Sequence, residues 1–124
     1  MTNSSPSLTR EILKERTKKF ALQIIELVEE LPNTVTCRAI GGQLVRSGTS
    51  VGANYRAACR GRSKREFNSK LHIVLEEADE SLFWLEIIYE KNYCPQIRIE
   101  SLMKEADELT AIFAKSYYTA KRNV

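Results

Sequence analysis

The sequence predicts an all-α protein, an antiparallel up-and-down four-helix bundle. Apolar residues recur at alternating spacings of three and four along four segments, as they do where packed helices share a buried seam. Only five Gly and three Pro occur in 124 residues, few for a strand-and-turn architecture. Leu, Ile, Ala, Glu, Lys and Arg dominate, and all lose little freedom in a helix. The length suits one domain with a real core. We assign residues 10–124 to the bundle and read the polar stretch over residues 1–9, MTNSSPSLT, as a disordered tail.

The first helix is expected from Leu8 to Leu31, where Pro32 stops it. Its seam is Leu13, Phe20, Ile24, Leu27 and Leu31. The second is expected from Thr34 to Arg60, with Cys37, Ile40, Leu44, Gly48, Val51, Tyr55 and Ala58 inside an arc of roughly 80°. Glycine inside a helix costs about 1 kcal/mol relative to Ala. Gly48 and Gly52 are therefore expected to let a neighbouring helix come close, the competing reading being a break near Ser47 and Gly48. The third runs from Lys64 to Asn92, opened by a Ser63–Glu66 capping box. Its predicted core stripe is Phe67, Leu71, Val74, Ala78, Leu82, Leu85 and Tyr89. A second strip, Ile73, Trp84 and Ile87, is left for another subunit unless this helix is central. The fourth runs from Pro95, at the first helical position, to Lys121. Its seam is Ile99, Leu102, Ala106, Leu109, Phe113, Ser116 and Ala120.

The net charge of +3 conceals strong segregation along the chain. Residues 34–65 hold seven basic groups and no acid, whereas residues 66–108 hold eleven acids against four bases. The seven are Arg38, Arg46, Arg56, Arg60, Arg62, Lys64 and Arg65. On the second helix Arg38, Arg56 and Arg60 fall within about 40° of one another, with Arg46 about 40° further round. Guanidinium forks meet phosphate oxygens in pairs, so this stripe suits structured RNA. Ser47, Thr49, Ser50, Asn54 and Tyr55 are candidates to add polar and stacking contacts. The competing reading pairs the arginines with the acidic stretch, within a subunit or between subunits.

Catalytic motifs are missing. There is no Gly-rich phosphate loop, no HExxH and no GxSxG. We expect no enzyme activity, cofactor, metal or small-molecule substrate. Arg65 and His72, seven residues apart on one helix face, are the nearest approach to an RNA-cutting pair of the HEPN type. Cys37, Cys59 and Cys94 have neither disulfide nor zinc spacing, consistent with reduced thiols in a cytoplasm. No apolar run reaches the length of about 20 residues needed to span a membrane.

From Gln43 to Ile88 the chain reads QLVRSGTSVGANYRAACRGRSKREFNSKLHIVLEEADESLFWLEII. This run resembles the four-helix-bundle family that includes proteins encoded in intervening sequences of bacterial 23S rRNA genes. QLVRSGTSVGANYRAACR, the S-K-x-E-F that follows, EEADESLFWLE and the later EADELTAIF carry the resemblance. It implies closed bundles assembled into ring-shaped homo-oligomers, pentamers in known cases, with no established enzymatic activity. A related group assists reverse transcriptases and holds nucleic acid on a basic surface. Arg46, Ser47, Ser50, Asn54 and Arg60 match the family's second-helix signature, and Glu77, Glu80 and Trp84 its third. With Ile73 and Ile87, those last three are the expected oligomer interface. His72 lies outside the signatures.

Overall fold

Three side-chain oxygens start three of the helices. Thr9, Thr34 and Ser63 accept from the backbone N–H three residues on, each at 3.1 Å, satisfying donors that have no partner inside the helix. In the computed structural model, which describes residues 8–122, these caps open α1 (Arg10–Glu29), α2 (Val35–Cys59) and α3 (Lys64–Glu90). The fourth helix is α4 (Gln96–Arg122). Residues 1–7 and 123–124 lie outside the described residues, and with them most of the predicted tail. Thr9 belongs to the fold as a cap.

The helix boundaries move slightly from those expected. α1 begins after Thr9 rather than at Leu8 and ends before Leu31. Pro95 stands before α4, its carbonyl accepting from Arg98 and Ile99. α3 closes on Asn92, whose φ of 57° lets Tyr93 donate back to the Ile88 carbonyl and Asn92 itself to Tyr89.

Each helix packs on its neighbours in the chain, and α1 and α4 close the bundle with the sparsest contact. Ion pairs bridge that seam. Arg16 reaches Glu105 at 2.5 Å and Glu108 at 3.2 Å, and Arg98 reaches Glu26 and Glu30.

The glycines draw α1 and α2 together. α2 is unbroken, and no glycine among the described residues has a positive φ. A Cβ on Gly48 would stand 3.0 Å from two carbons of Ile24, and one on Gly52 would stand 3.2 Å from the Thr17 hydroxyl. Close approach is what these positions provide, as expected.

The core stripe of α3 differs from the expected one. The buried residues are Leu71, Val74, Ala78, Ser81, Leu85 and Ile88, while Phe67, Leu82 and Tyr89 are only partly covered. Ser81 takes the central position because a small residue is needed there. Its Oγ donates to Ser47 Oγ at 3.0 Å across the α2–α3 contact, with both side chains fully buried. Two paired hydroxyls meet their hydrogen-bonding needs without water.

Candidate nucleic-acid interface

The structure divides the seven predicted basic residues into groups with different surroundings. Arg46 faces α3, where its guanidinium bonds both oxygens of Glu77, at 3.1 and 3.2 Å, and one oxygen of Glu80. The Trp84 indole N–H donates to the same Glu80 oxygen at 3.0 Å. Arg46, Glu77, Glu80 and Trp84 thus form one network within a single chain. Arg38 donates to Asn33 at 2.7 Å beside the α1–α2 turn. Arg56, Arg60, Arg62, Lys64 and Arg65 are exposed towards the opposite end of the bundle. Arg56 and Arg60 share a cleft of about 230 Å³ with Lys14, Glu11 and Glu15 of α1.

Several expected contacts face inward instead. Ser47 is fully buried and Tyr55 is 3 % exposed against Phe113. Thr49 and Asn54 turn to carbonyls of their own helix, at Val45 and Ser50. Ser47 and Tyr55 therefore belong to the α2 seam, whereas Thr49 and Asn54 stay half-buried, Thr49 in a cleft with Lys14, Lys18 and Arg56. Ile73, Trp84 and Ile87 are half-buried on α3, and the neighbouring Phe83, 51 % exposed, meets the Trp84 ring edge-on at 5.0 Å.

The Glu80 network yields a pH test. The Trp84 indole and the Arg46 guanidinium hold the Glu80 carboxyl below its ordinary value. A depressed carboxyl stabilises the fold above the unfolded value, about 4.3 for Glu, and that contribution is lost as pH falls through the lower folded value. Trp84 is the only tryptophan. Its emission should therefore hold steady from neutral pH and change with a midpoint below about 4.3. Arg46→Gln should move that midpoint upward, and a midpoint at or above the ordinary value in wild type would contradict the assignment.

Helix direction concentrates charge that the sequence spreads out. Arg10 at the start of α1 donates to the Cys59 carbonyl at the end of α2 and lies 4.9 Å over the Phe67 ring near the start of α3. Tyr117 near the end of α4 packs on His72 of α3 at 5.1 Å. Cutting the bundle near its middle places residues 10–19, 48–76 and 110–122 in one half and 20–47 and 77–109 in the other, with the Arg16 ion pairs to Glu105 and Glu108 straddling the cut. The first half holds fourteen Lys and Arg against four Asp and Glu, +10. The second holds five against twelve, −7. Lys14, Lys18, Lys19, Lys115 and Lys121 join the field, none of them within the basic run of the sequence.

Arg65 and His72 do line a common groove, about 560 Å³, at the α3–α4 edge of the basic half. The His72 Nε2 is 3.3 Å from Glu76. Among the described residues no three His, Cys, Asp or Glu side chains gather as metal ligands, and no helix is long and apolar enough to cross a membrane.

No curated protein matches the chain. A crystal structure of a protein of unknown function from the S23 ribosomal protein family of Bacteroides thetaiotaomicron is similar, with 31 % identity and a TM-score of 0.78. The similarity covers 88 % of this chain and 97 % of that one. Residues 11–115 match the family described as 23S rRNA-intervening sequence protein. With four helices in the expected order and the Gln43–Ile88 run inside the matched span, the chain belongs to the 23S rRNA-intervening sequence protein family.

Proposed function

We propose that this protein is a non-enzymatic, cytoplasmic homo-oligomer that holds structured RNA on the basic half of its bundle. The observation that carries this reading is the separation of charge along the bundle axis, +10 against −7. Phosphate neutralisation needs a local excess of cations, and Arg56, Arg60, Arg62, Lys64 and Arg65 supply one that outnumbers the neighbouring Glu11, Glu15 and Glu66. The reading that pairs the arginines between subunits has less support. Glu77 and Glu80, two acids available for such pairs, already face Arg46 of their own chain.

Filter binding of a structured RNA across a salt series tests the proposal. Affinity should fall linearly with log salt, with a slope of several units. A flat slope, or no binding at low salt, would overturn it.

Assembly, a pentameric ring by resemblance, is supported by the half-buried Trp84 and Ile87 beside exposed Phe83, while Ile73, the third member of the predicted strip, lines the groove with Arg65 and His72. Burying an aromatic pair between copies stabilises an oligomer by a few kcal/mol. Light scattering should give several times the chain mass of 14.2 kDa. A monomer at micromolar concentration would rule this part out.

A further inference from the structure

The groove at the α3–α4 edge combines features that the general charge of the basic half does not explain. Arg65 and His72 line it from α3, and Tyr117 and Lys121 line it from α4. Its lining holds no carboxylate, and Glu76 approaches it only through the His72 Nε2, 3.3 Å away. Its volume of about 560 Å³ falls in the range of roughly 300–1,000 Å³ occupied by small-ligand sites. The Tyr117 ring lies 5.1 Å from the His72 ring and 5.8 Å from the Lys121 Nζ. Tyr118, 58 % exposed, meets the same ring edge-on. Asn68 also lines the groove, and its Oδ1 is covered without any hydrogen-bond partner. A buried acceptor left alone is unfavourable, and turning the amide towards a donor removes the penalty.

Cations beside an accessible aromatic ring and an amide whose oxygen lacks a partner match a ligand with three parts. The cations suit a phosphate. The ring suits a flat heteroaromatic base. The amide suits the paired donor and acceptor on the edge of adenine. We infer that this groove binds one nucleoside monophosphate unit, with phosphate on Arg65 and Lys121, base on Tyr117 and base edge at Asn68. Because the groove lies in the basic half, the natural source of that unit is an unstacked nucleotide of the RNA held there, so this inference rests on the proposed function. A free mononucleotide has the same chemistry and is the other source.

His72 is the only histidine, so its ring protons stand alone in a proton NMR spectrum and report directly on the groove. Adenosine monophosphate should shift the His72 and Tyr117 ring signals, and inorganic phosphate should do so only weakly. Tyr117→Ala should weaken binding of the mononucleotide and of a short single-stranded oligoadenylate by roughly 5- to 150-fold, the range for losing one stacked base. Tyr117→Phe, which keeps the ring, should bind like wild type. Arg65→Gln, at an exposed position, should weaken both ligands without affecting the fold. If adenosine monophosphate produces no shift, and Tyr117→Ala and Arg65→Gln bind the oligoadenylate like wild type, the groove is not a nucleotide site. Intact structured-RNA binding would then leave the proposed function standing. Equal shifts from phosphate alone would also overturn the inference. Mononucleotide binding without any RNA binding would sustain the groove and overturn the RNA reading.

Discussion

Gly48→Leu should destabilise the bundle by about 3 kcal/mol, towards the upper end of what overpacking a filled core costs. The reason is local. A single Cβ at this position already stands 3.0 Å from two carbons of Ile24, and Ile24 is fully buried. A leucine adds three more carbons where no space exists, so α1 must move away from α2. Gly48→Ala should change stability little, because the gain of about 1 kcal/mol in helix propensity opposes the two tight contacts with Ile24. Gly42 is the internal control. Nothing lies within 4 Å of its Cβ position, so Gly42→Ala should stabilise by about 0.4–1 kcal/mol. Denaturant melts at matched protein concentration measure all three, since the stability of an oligomer depends on concentration. A Gly48→Leu protein as stable as wild type would show that α1 and α2 are not in close contact there.

The second large effect is on RNA affinity. Replacing Arg56, Arg60, Arg62 and Lys64 together with Gln should leave the helices intact, because all four side chains are exposed and none enters the core. If each neutralises one phosphate, the salt slope should fall by between three and four units, and affinity near 0.1 M salt by about a thousandfold. Arg46→Gln should barely change that slope, because this guanidinium already serves Glu77 and Glu80. A fourfold variant with the wild-type slope would remove these residues from the interface. An equal loss from Arg46→Gln alone would mean that the α2–α3 network opens to bind RNA.

Most of the fold was legible because bundle helices advertise themselves. Leu13, Phe20, Ile24 and Leu27 on α1, and Ile99, Leu102, Ala106, Leu109 and Phe113 on α4, are buried where their spacing put them. The misreading on α3 has a physical cause. A search for apolar residues steps over Ser81 to Leu82, yet close approach to α2 favours a small side chain, and Ser47 supplies the partner for its hydroxyl. Gly48 and Ser47 carry the same message from the α2 side. Size, more than polarity, selected these positions.

The candidate interface was less legible. The basic run over residues 34–65 was plain, but its division was not, because Glu77 and Glu80 lie more than thirty residues from Arg46 in the chain. Lys14, Lys18 and Lys121 could be added only once the direction of each helix was known. Up-and-down topology brings the start of α1 beside the end of α4, so lysines near both termini reinforce arginines from the middle. Arg65 and His72 were visible as a pair on one face of α3. Tyr117, which turns that face into a groove, comes from α4 and gave no local signal.

Lysine reactivity in the presence of RNA tests most directly where the RNA lies. Six lysines, Lys14, Lys18, Lys64, Lys70, Lys115 and Lys121, belong to the basic half, Lys91 belongs to the acidic half, and Lys19 and Lys104 share a cleft across the middle. Acetylation of the protein with and without bound structured RNA, read residue by residue by mass spectrometry, should show protection concentrated in the first set. Lys91, far from the basic half, should react at the same rate in both samples. Uniform protection of all nine lysines, or protection of Lys91 alone, would contradict an interface on the basic half.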